Sequence, residues 1–310
     1  MAIVIIAPTR DTRIWAQGLL ALDPTLEIYE HPHVPEDVKD RITCAITWLH
    51  PEGSLSVFPN LNIICSMGAG VDHMLADAQL PKGVPITRIV DPALAWSMSN
   101  FVIAALFNHH RNWEHFRKQQ AGKRWAQADL CEVPLRVGVL GLGVLGKDLA
   151  QKVSALGFYT AGFSQTPKEV AGIESFVGAS QLDAFLQAVN VLVCLLPLTP
   201  ATENYLNAQL FERCSPGTYL INVARGKHLV EEDLIPAIHS GQLSGAVLDV
   251  FREEPLPVHH PFWEHPNIVI TPHHASLTNP DAAIPQLLEN YRRSIQGEQL
   301  LNTVDRKKGY

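Results

Sequence analysis

Three polar side chains follow three apolar runs in the second half of the chain. Arg225 follows YLINVA, Glu254 lies just past GAVLDVF, and His273 follows NIVITP. Arginine stays charged at any working pH, and its planar fork can hold a carboxylate and polarise the carbonyl beside it. Histidine exchanges a proton near neutral pH. A carboxylate next to an imidazole fixes the ring and favours its protonated form. Taken singly, a loop arginine, a glutamate before a proline and a histidine near a strand end are mostly structural or solvated. Their shared position beyond apolar strands is the informative feature. In an open α/β sheet such positions gather at the ligand crevice, so distance along the chain is compatible with closeness in space. A second histidine, His274, stands beside the first, and the pair alone does not say which would carry a proton.

The stretch RVGVLGLGVLGKDLA (136–150) holds a G-x-G-x-x-G pattern at Gly141, Gly143 and Gly146. An apolar strand precedes it, and Leu145, Leu149, Val153 and Leu156 continue it at helical spacing. Gly141 permits the tight turn, Gly143 lets a pyrophosphate approach the backbone, and Gly146 allows close helix–strand packing. The helix N-terminus offers its N–H groups to the anion. A dinucleotide there, with the arginine, glutamate and histidine downstream, fits the reduction of a 2-oxo acid. A hydride moves from nicotinamide to the carbonyl carbon, and the oxygen takes up a proton.

The loop after the second strand of this unit bears on the nucleotide. An NAD site places an acid at the end of that strand. Here the strand, Tyr159–Phe163, is followed by Ser164, Gln165, Thr166, Pro167 and Lys168, with no acid before Glu169. A carboxylate would repel a 2′-phosphate, whereas Ser, Thr and Lys can bind one. The loop therefore favours NADPH, with NADH as the alternative. A second anion-binding pattern is SMGAGVDH (66–73), where successive glycine-flanked N–H groups make a concavity for a small anion. Trp48, in TWLH just past a strand, either walls a pocket or fills the core.

These motifs resemble those of the D-isomer-specific 2-hydroxyacid dehydrogenases. VGVLGLGVLGKDLA, LLPLTPAT, INVARG, GAVLDVFREEPLP and ITPHHAS follow in the family's order over most of 130–280. The first 100 residues and the tail VDRKKGY look most like its glyoxylate/hydroxypyruvate reductase A branch. The resemblance implies NADPH-dependent reduction of glyoxylate to glycolate and of hydroxypyruvate to D-glycerate. It implies that Arg225 binds the substrate carboxylate and carbonyl, that His273 is the proton donor and that Glu254 is its partner. It places the substrate carboxylate on the backbone of Ala69 and Gly70, beside Trp48. It places the dinucleotide on the glycine motif with Val144 and Leu145, on the Ser164–Lys168 loop, and on Leu196, Pro197, Val223, Ala224, Asp249 and His273. Asp249 would contact the nicotinamide carboxamide, and His274 would be a tuning neighbour. Close members of the branch carry arginines where this chain has SQTPK, which implies a weaker or relaxed preference for NADPH. The family also implies a homodimer, with Trp125 a candidate interface residue.

The elements that must position these groups are legible as two α/β units. Short apolar runs at Ala2–Ala7, Leu26–Tyr29, Cys44–Thr47, Asn62–Cys65 and Pro85–Val90 read as strands of a parallel sheet covered on both faces. Over 97–120, Met98, Phe101, Val102, Ala105, His109, Trp113 and Phe116 fall at helical spacing, which predicts one long helix with a buried stripe. An irregular stretch, 121–135, follows. A second alternating unit runs from RVGVL through Val191–Leu196, Thr218–Val223, Gly245–Val250 and Asn267–Ile270. The expected architecture is a flavodoxin-like substrate domain, 1–97 completed by 276–310, and a Rossmann dinucleotide domain, 98–275. The active site is expected in the cleft between them.

Composition narrows the alternatives. Hydrophobic residues are 46% of the 310, charged residues 18%, and the net charge is −7, which argues against a nucleic-acid surface. The apolar start MAIVIIA is too short for a signal peptide, and no apolar run is long enough to span a membrane. Cys44, Cys65, Cys131, Cys194 and Cys214 never stand in CxxC spacing and read as buried, reduced thiols of a cytoplasmic protein. Paired histidines raise a metal hydrolase, but HExxH is absent, and His109 and His110 point to different faces of one helix. A dehydrogenase acting on another 2-oxo acid and a non-catalytic dinucleotide-sensing protein are the remaining alternatives.

Overall fold

The computed structural model describes residues 1–127 and 132–309. The chain divides into two compact units, Met1–Leu94 with Thr278–Tyr310, and Ala95–Leu277.

The first unit is built on β1 (Ala2–Ile6), β2 (Ile28–Glu30), β3 (Ile42–Thr47), β4 (Ile63–Ser66) and β5 (Ile86–Thr87). All pair in parallel, in the order β2-β1-β3-β4-β5. This is the flavodoxin-like order, with its reversal between β1 and β3. Strands β1, β3 and β4 are buried along their whole length, which is why they read as continuous apolar runs instead of alternating ones. Helix α1 (Thr12–Leu22) begins at Asp11, whose side chain accepts from the Arg13 N–H. It packs against the helix Pro280–Gln296, and Gly18 is what lets Ile284 approach. A short helix α2 (Asp72–Leu75) follows β4. Two expected strands are displaced. Leu26–Tyr29 forms at Ile28–Glu30, and Pro85–Val90 pairs only at Ile86–Thr87.

The second unit begins at Ala95, within α3 (Pro92–His110), and continues into α4 (Trp113–Ala121). Its sheet contains β6 (Arg136–Leu140), β7 (Tyr159–Ser164), β8 (Glu174–Val177), β9 (Val191–Cys194), β10 (Thr218–Asn222), β11 (Leu243–Leu248) and β12 (Ile268–Ile270). Helices α5 (Val144–Ala155), α6 (Leu182–Ala188), α7 (Ala208–Arg213) and α8 (Glu231–His239) lie between strands in the chain. The seven strands are parallel in the order β12-β11-β10-β9-β6-β7-β8. Counted from β6, this is the Rossmann order 3-2-1-4-5-6 extended by a seventh strand, with its reversal between β6 and β9. Val137, Val139, Val191, Val193, Ile221 and Val247 join one core, while Leu140, Phe163, Leu192, Leu220 and Leu248 join the other. The alternation along each strand thus feeds two buried faces. Strand β8 has no counterpart among the sequence expectations. Its ESFV is short, and none of its residues is fully buried.

The single helix expected over 97–120 is two. Asn112 takes a left-handed conformation, φ 54° and ψ 38°, and ends the first helix before α4 begins. Asparagine tolerates that region better than most residues. Met98, Val102 and Ala105 are buried as expected, but Trp113 is 54% and Phe116 46% exposed. The break turns them off the stripe. Cys44, Cys65, Cys194 and Cys214 are buried free thiols, and Cys131 lies outside the described residues. No helix among the described residues is long and apolar enough to cross a membrane.

His109 stacks on Tyr219, with ring centroids 3.9 Å apart and planes 9° apart. Burial, helped by the charge of His110, lowers its pKa to about 4. The folded chain therefore holds His109 neutral where the unfolded chain takes a proton. Stability is unaffected above the unfolded value near 6.5, falls as the pH drops through that value, and stops falling below about 4. A loss of about 2–4 kcal/mol across this window is expected. Urea midpoints at pH 7 and pH 4.5 check it, and His109→Gln should flatten the difference.

Candidate active site

Gly141 directly follows β6 with φ +100°, a conformation open to glycine, and a Cβ there would lie 2.7 Å from the Leu195 carbonyl oxygen. Gly146 sits so close over the turn that a Cβ would lie 1.8 Å from the Gly141 oxygen. Helix α5 can start this near the turn only because position 146 lacks a side chain. Gly143 caps α5, and a Cβ there would meet nothing within 4 Å. The space is open at the point where the helix presents its first N–H groups. That cradle fits a pyrophosphate.

Leu196 and Pro197 follow β9, across the strand reversal from Gly141, and both are half-buried. The Pro197 carbonyl accepts from Thr202 Oγ1 at 2.6 Å, which closes the LTPAT loop. Ser164 ends β7, is buried, and donates to the Thr166 carbonyl at 2.8 Å. Its hydroxyl holds the turn, and Gln165, Thr166 and Lys168 are the exposed members of the loop.

Beyond β10, Val223 and Ala224 are buried and Arg225 is half-buried. The Arg225 backbone is fixed through its carbonyl, which accepts from Asn222 Nδ2 at 3.0 Å and from the His228 N–H at 3.2 Å. Arg225 Nη1 donates to the Ala224 carbonyl at 2.7 Å. Gly226 packs against the chain after β11 so tightly that a Cβ would lie 1.9 Å from the Phe251 carbonyl carbon. This approach brings Arg225 beside the turn that carries Glu254, and its charge acts on that carboxylate.

Glu254 Oε2 lies 2.7 Å from His273 Nδ1, and Glu254 Oε1 accepts from the Phe251 N–H at 3.0 Å. Burial works to raise the Glu254 pKa, but the hydrogen bonds from His273 and Phe251 outweigh it and hold the carboxyl below its ordinary value. A carboxylate only accepts, so Nδ1 carries the hydrogen and Nε2 is left to exchange a proton.

The two histidines are separated by a clamp that sequence reasoning missed. Asp249 is buried to 1% exposure just past β11. Its Oδ1 accepts from Thr271 Oγ1 at 2.6 Å and from the His274 N–H at 2.8 Å, and its Oδ2 from the Ala275 N–H at 2.9 Å. Its carbonyl takes the His273 N–H at 2.8 Å. Four bonds to one aspartate hold His273 at φ +52°, a conformation that a non-glycine residue adopts at some cost. The turn aims the His273 ring at Glu254, while the His274 side chain is exposed.

In the other unit, Ser66 ends β4, and its Oγ donates to the Gly70 carbonyl at 3.1 Å and accepts from the Gly68 N–H at 3.2 Å. These bonds shape the loop that carries Ala69 and Gly70. Trp48, past β3, is half-buried and packs on the Gly68 backbone, where a Cβ would lie 2.5 Å from Cζ3 of the indole. The His73 ring stands 4.7 Å from the indole.

A sequence profile described as "D-isomer specific 2-hydroxyacid dehydrogenase, NAD binding domain" matches residues 103–275. The chain belongs to the D-isomer specific 2-hydroxyacid dehydrogenases. It is 40% identical to glyoxylate/hydroxypyruvate reductase A of Photorhabdus laumondii over the full length of both. Among solved structures it is similar to a family member from Xanthobacter autotrophicus Py2 in complex with NADPH and MES, with a TM-score of 0.94 and 38% identity over 100% of this chain and 99% of that one. It is also similar to the NADPH-dependent glyoxylate/hydroxypyruvate reductase of Sinorhizobium meliloti in complex with NADP and sulfate, with a TM-score of 0.92 and 33% identity over 100% and 99%.

For a 2-hydroxyacid dehydrogenase, the second unit brings together most of what the sequence singled out. Arg225, Glu254 and His273 come from the ends of three neighbouring strands, β10, β11 and β12. Asp249 is placed as a clamp whose carboxylate already accepts three hydrogen bonds. Ser164 is placed as a turn holder. Trp125 is fully exposed. Two positions at the candidate site escaped the sequence reading. Gly226 was visible as the residue after Arg225, but its need for a bare Cα arises from a contact 25 residues away. Arg10 was visible just past the first strand, where a ligand-facing residue belongs.

Proposed function

We propose that the chain is an NADPH-dependent reductase of small 2-oxo acids, converting glyoxylate to glycolate and hydroxypyruvate to D-glycerate. The 2.7 Å pair of His273 Nδ1 and Glu254 Oε2, in a chain that also carries a dinucleotide cradle, supports this reading above all. Residues 98–275 hold the dinucleotide, and 1–97 with 276–310 hold the substrate. NADPH, when bound, supplies a hydride to the carbonyl carbon. Gly141, Gly143, Val144, Leu145 and Gly146 would hold its pyrophosphate, with Leu196, Pro197, Val223 and Ala224 lining the rest and Asp249 facing the carboxamide. The exposed Gln165, Thr166 and Lys168 would meet the 2′-phosphate, with Ser164 shaping their turn.

Arg225 binds the substrate carboxylate and carbonyl oxygen, drawing electron density off the carbon that accepts the hydride. The Ala69 and Gly70 N–H groups take the carboxylate as well. His273 Nε2 gives its proton to the carbonyl oxygen as charge develops there, and Glu254 steadies the ring and its charge. The exposed aromatic side chains Trp113, Phe116 and Trp125 support a homodimer, which sedimentation would test. The buried free thiols support a reducing cytoplasm.

The purified protein is expected to oxidise NADPH faster than NADH with glyoxylate and hydroxypyruvate, followed by absorbance. A preference for NADH would overturn the reading of Gln165–Lys168 and leave the acid–base assignment intact. No turnover with either cofactor would move weight to another 2-oxo acid or to a dinucleotide-sensing protein.

A further inference from the structure

The five-stranded sheet of the first unit reverses its order between β1 and β3. Loops that leave the carboxyl ends of strands at such a reversal flank a ligand crevice. Arg10 lies on the loop after β1, Trp48 follows β3, and Ala69 and Gly70 follow the adjacent β4. The Arg10 guanidinium carbon sits 4.2 Å from the centroid of the Trp48 ring. The same indole packs on Gly68, next to Ala69 and Gly70. One rigid ring thus sets a cation on the same wall as the proposed carboxylate amides.

The Arg10 side chain is half-buried, and burial lowers its pKa. No carboxylate among the described residues pairs with it. A partly desolvated guanidinium without an anion is costly to keep unless something charged meets it. The cation–π contact does not use up its hydrogen-bonding capacity, and no side-chain hydrogen bond from Arg10 to a described residue occupies the fork that grips a carboxylate. Arg88 is also half-buried and also follows a strand, but it follows the edge strand β5, away from the reversal.

We infer that Arg10 receives the far carboxylate of a 2-oxo dicarboxylate, so that this reductase takes substrates with a second carboxylate in preference to 2-oxo monocarboxylates of similar length. The inference rests on the proposal that the 66–73 loop holds the first carboxylate. The reaction is unchanged. Hydride and proton still add across the carbonyl, and the second carboxylate only binds.

The test compares kcat/KM with NADPH for the dicarboxylate 2-oxobutanedioate and the monocarboxylate 2-oxopentanoate, with glyoxylate as the reference. The full-length protein is expected to favour the dicarboxylate by about 10-fold or more, the scale of a charge-assisted hydrogen-bond pair. In Arg10→Met that ratio should fall by about 10- to 100-fold, and Arg10→Lys should lie between. NADPH binding by fluorescence verifies that each variant is folded. A wild-type ratio at or below one overturns the inference without any variant. So does an Arg10→Met variant in which both substrates lose activity equally, since a merely structural Arg10 would act that way. Failure of the protein to reduce glyoxylate or hydroxypyruvate is a different result. It removes the reductase reading, and this inference with it.

Discussion

Replacing His273 by glutamine is expected to lower kcat by about 10²–10⁴-fold, the usual contribution of a positioned general acid. KM should move little, because the proposed carboxylate anchor, Arg225, is left in place. The loss should fall on the proton-transfer step alone. The His273 turn is held by Asp249 through backbone N–H groups and Thr271, none of which the substitution touches. Dinucleotide affinity should therefore stay near that of the wild type, and steady-state kinetics with a binding titration checks both halves. Normal turnover in this variant would remove His273 as the acid. His274→Gln makes the contrast, because its side chain is exposed and only its N–H is engaged.

Glu254→Gln probes the same pair from the other side. The amide oxygen can still accept from Nδ1, so ring orientation survives while the charge is lost. A fall in kcat of about 10–100-fold is expected. The wild-type carboxyl is held below its ordinary pKa, so its pairing with His273 is present above that depressed value and is lost as the pH falls through it. The acid limb of the kcat/KM profile should accordingly lie below the usual carboxylate range and should vanish in Glu254→Gln.

Arg225→Ala is expected to reduce kcat/KM by about 10³-fold or more, with KM raised and kcat lowered together. Two functions leave with one side chain. The charge proposed to bind the carboxylate would be gone, and so would the donors proposed to stabilise the developing oxyanion. Arg225→Lys should still lose about 10–100-fold, because an ammonium cannot replace the planar fork. The backbone of Arg225 is fixed by Asn222 and His228, and Gly226 is locked against Phe251, so neither variant should disturb the loop. Unchanged NADPH binding beside the lost activity would confirm that the effect is local. A KM effect without a kcat effect would leave Arg225 as a carboxylate anchor only.

The sequence by itself determined the two-unit α/β architecture and the dinucleotide cradle. Both depend on short-range signals. Buried parallel strands need continuous apolar runs such as AIVII and VLVC, and Gly141, Gly143 and Gly146 answer steric demands within a few residues of themselves. It also singled out Arg225, Glu254 and His273, because residues at strand ends face ligand crevices in this architecture. Element boundaries were less legible. The helix expected over 97–120 breaks at Asn112, since periodicity continues across a residue that switches to the left-handed region. The histidine pair by itself left open which ring meets Glu254; the family resemblance pointed to His273, and the tertiary structure shows how that ring is chosen. HH reads the same from either end, and the selection comes from Asp249, more than 20 residues upstream, which anchors the turn backbone and turns one ring inward. The bare Cα at Gly226 and the placement of Arg10 over Trp48 have the same origin. Each is set by a contact between segments far apart in the chain, and no local pattern encodes the partner.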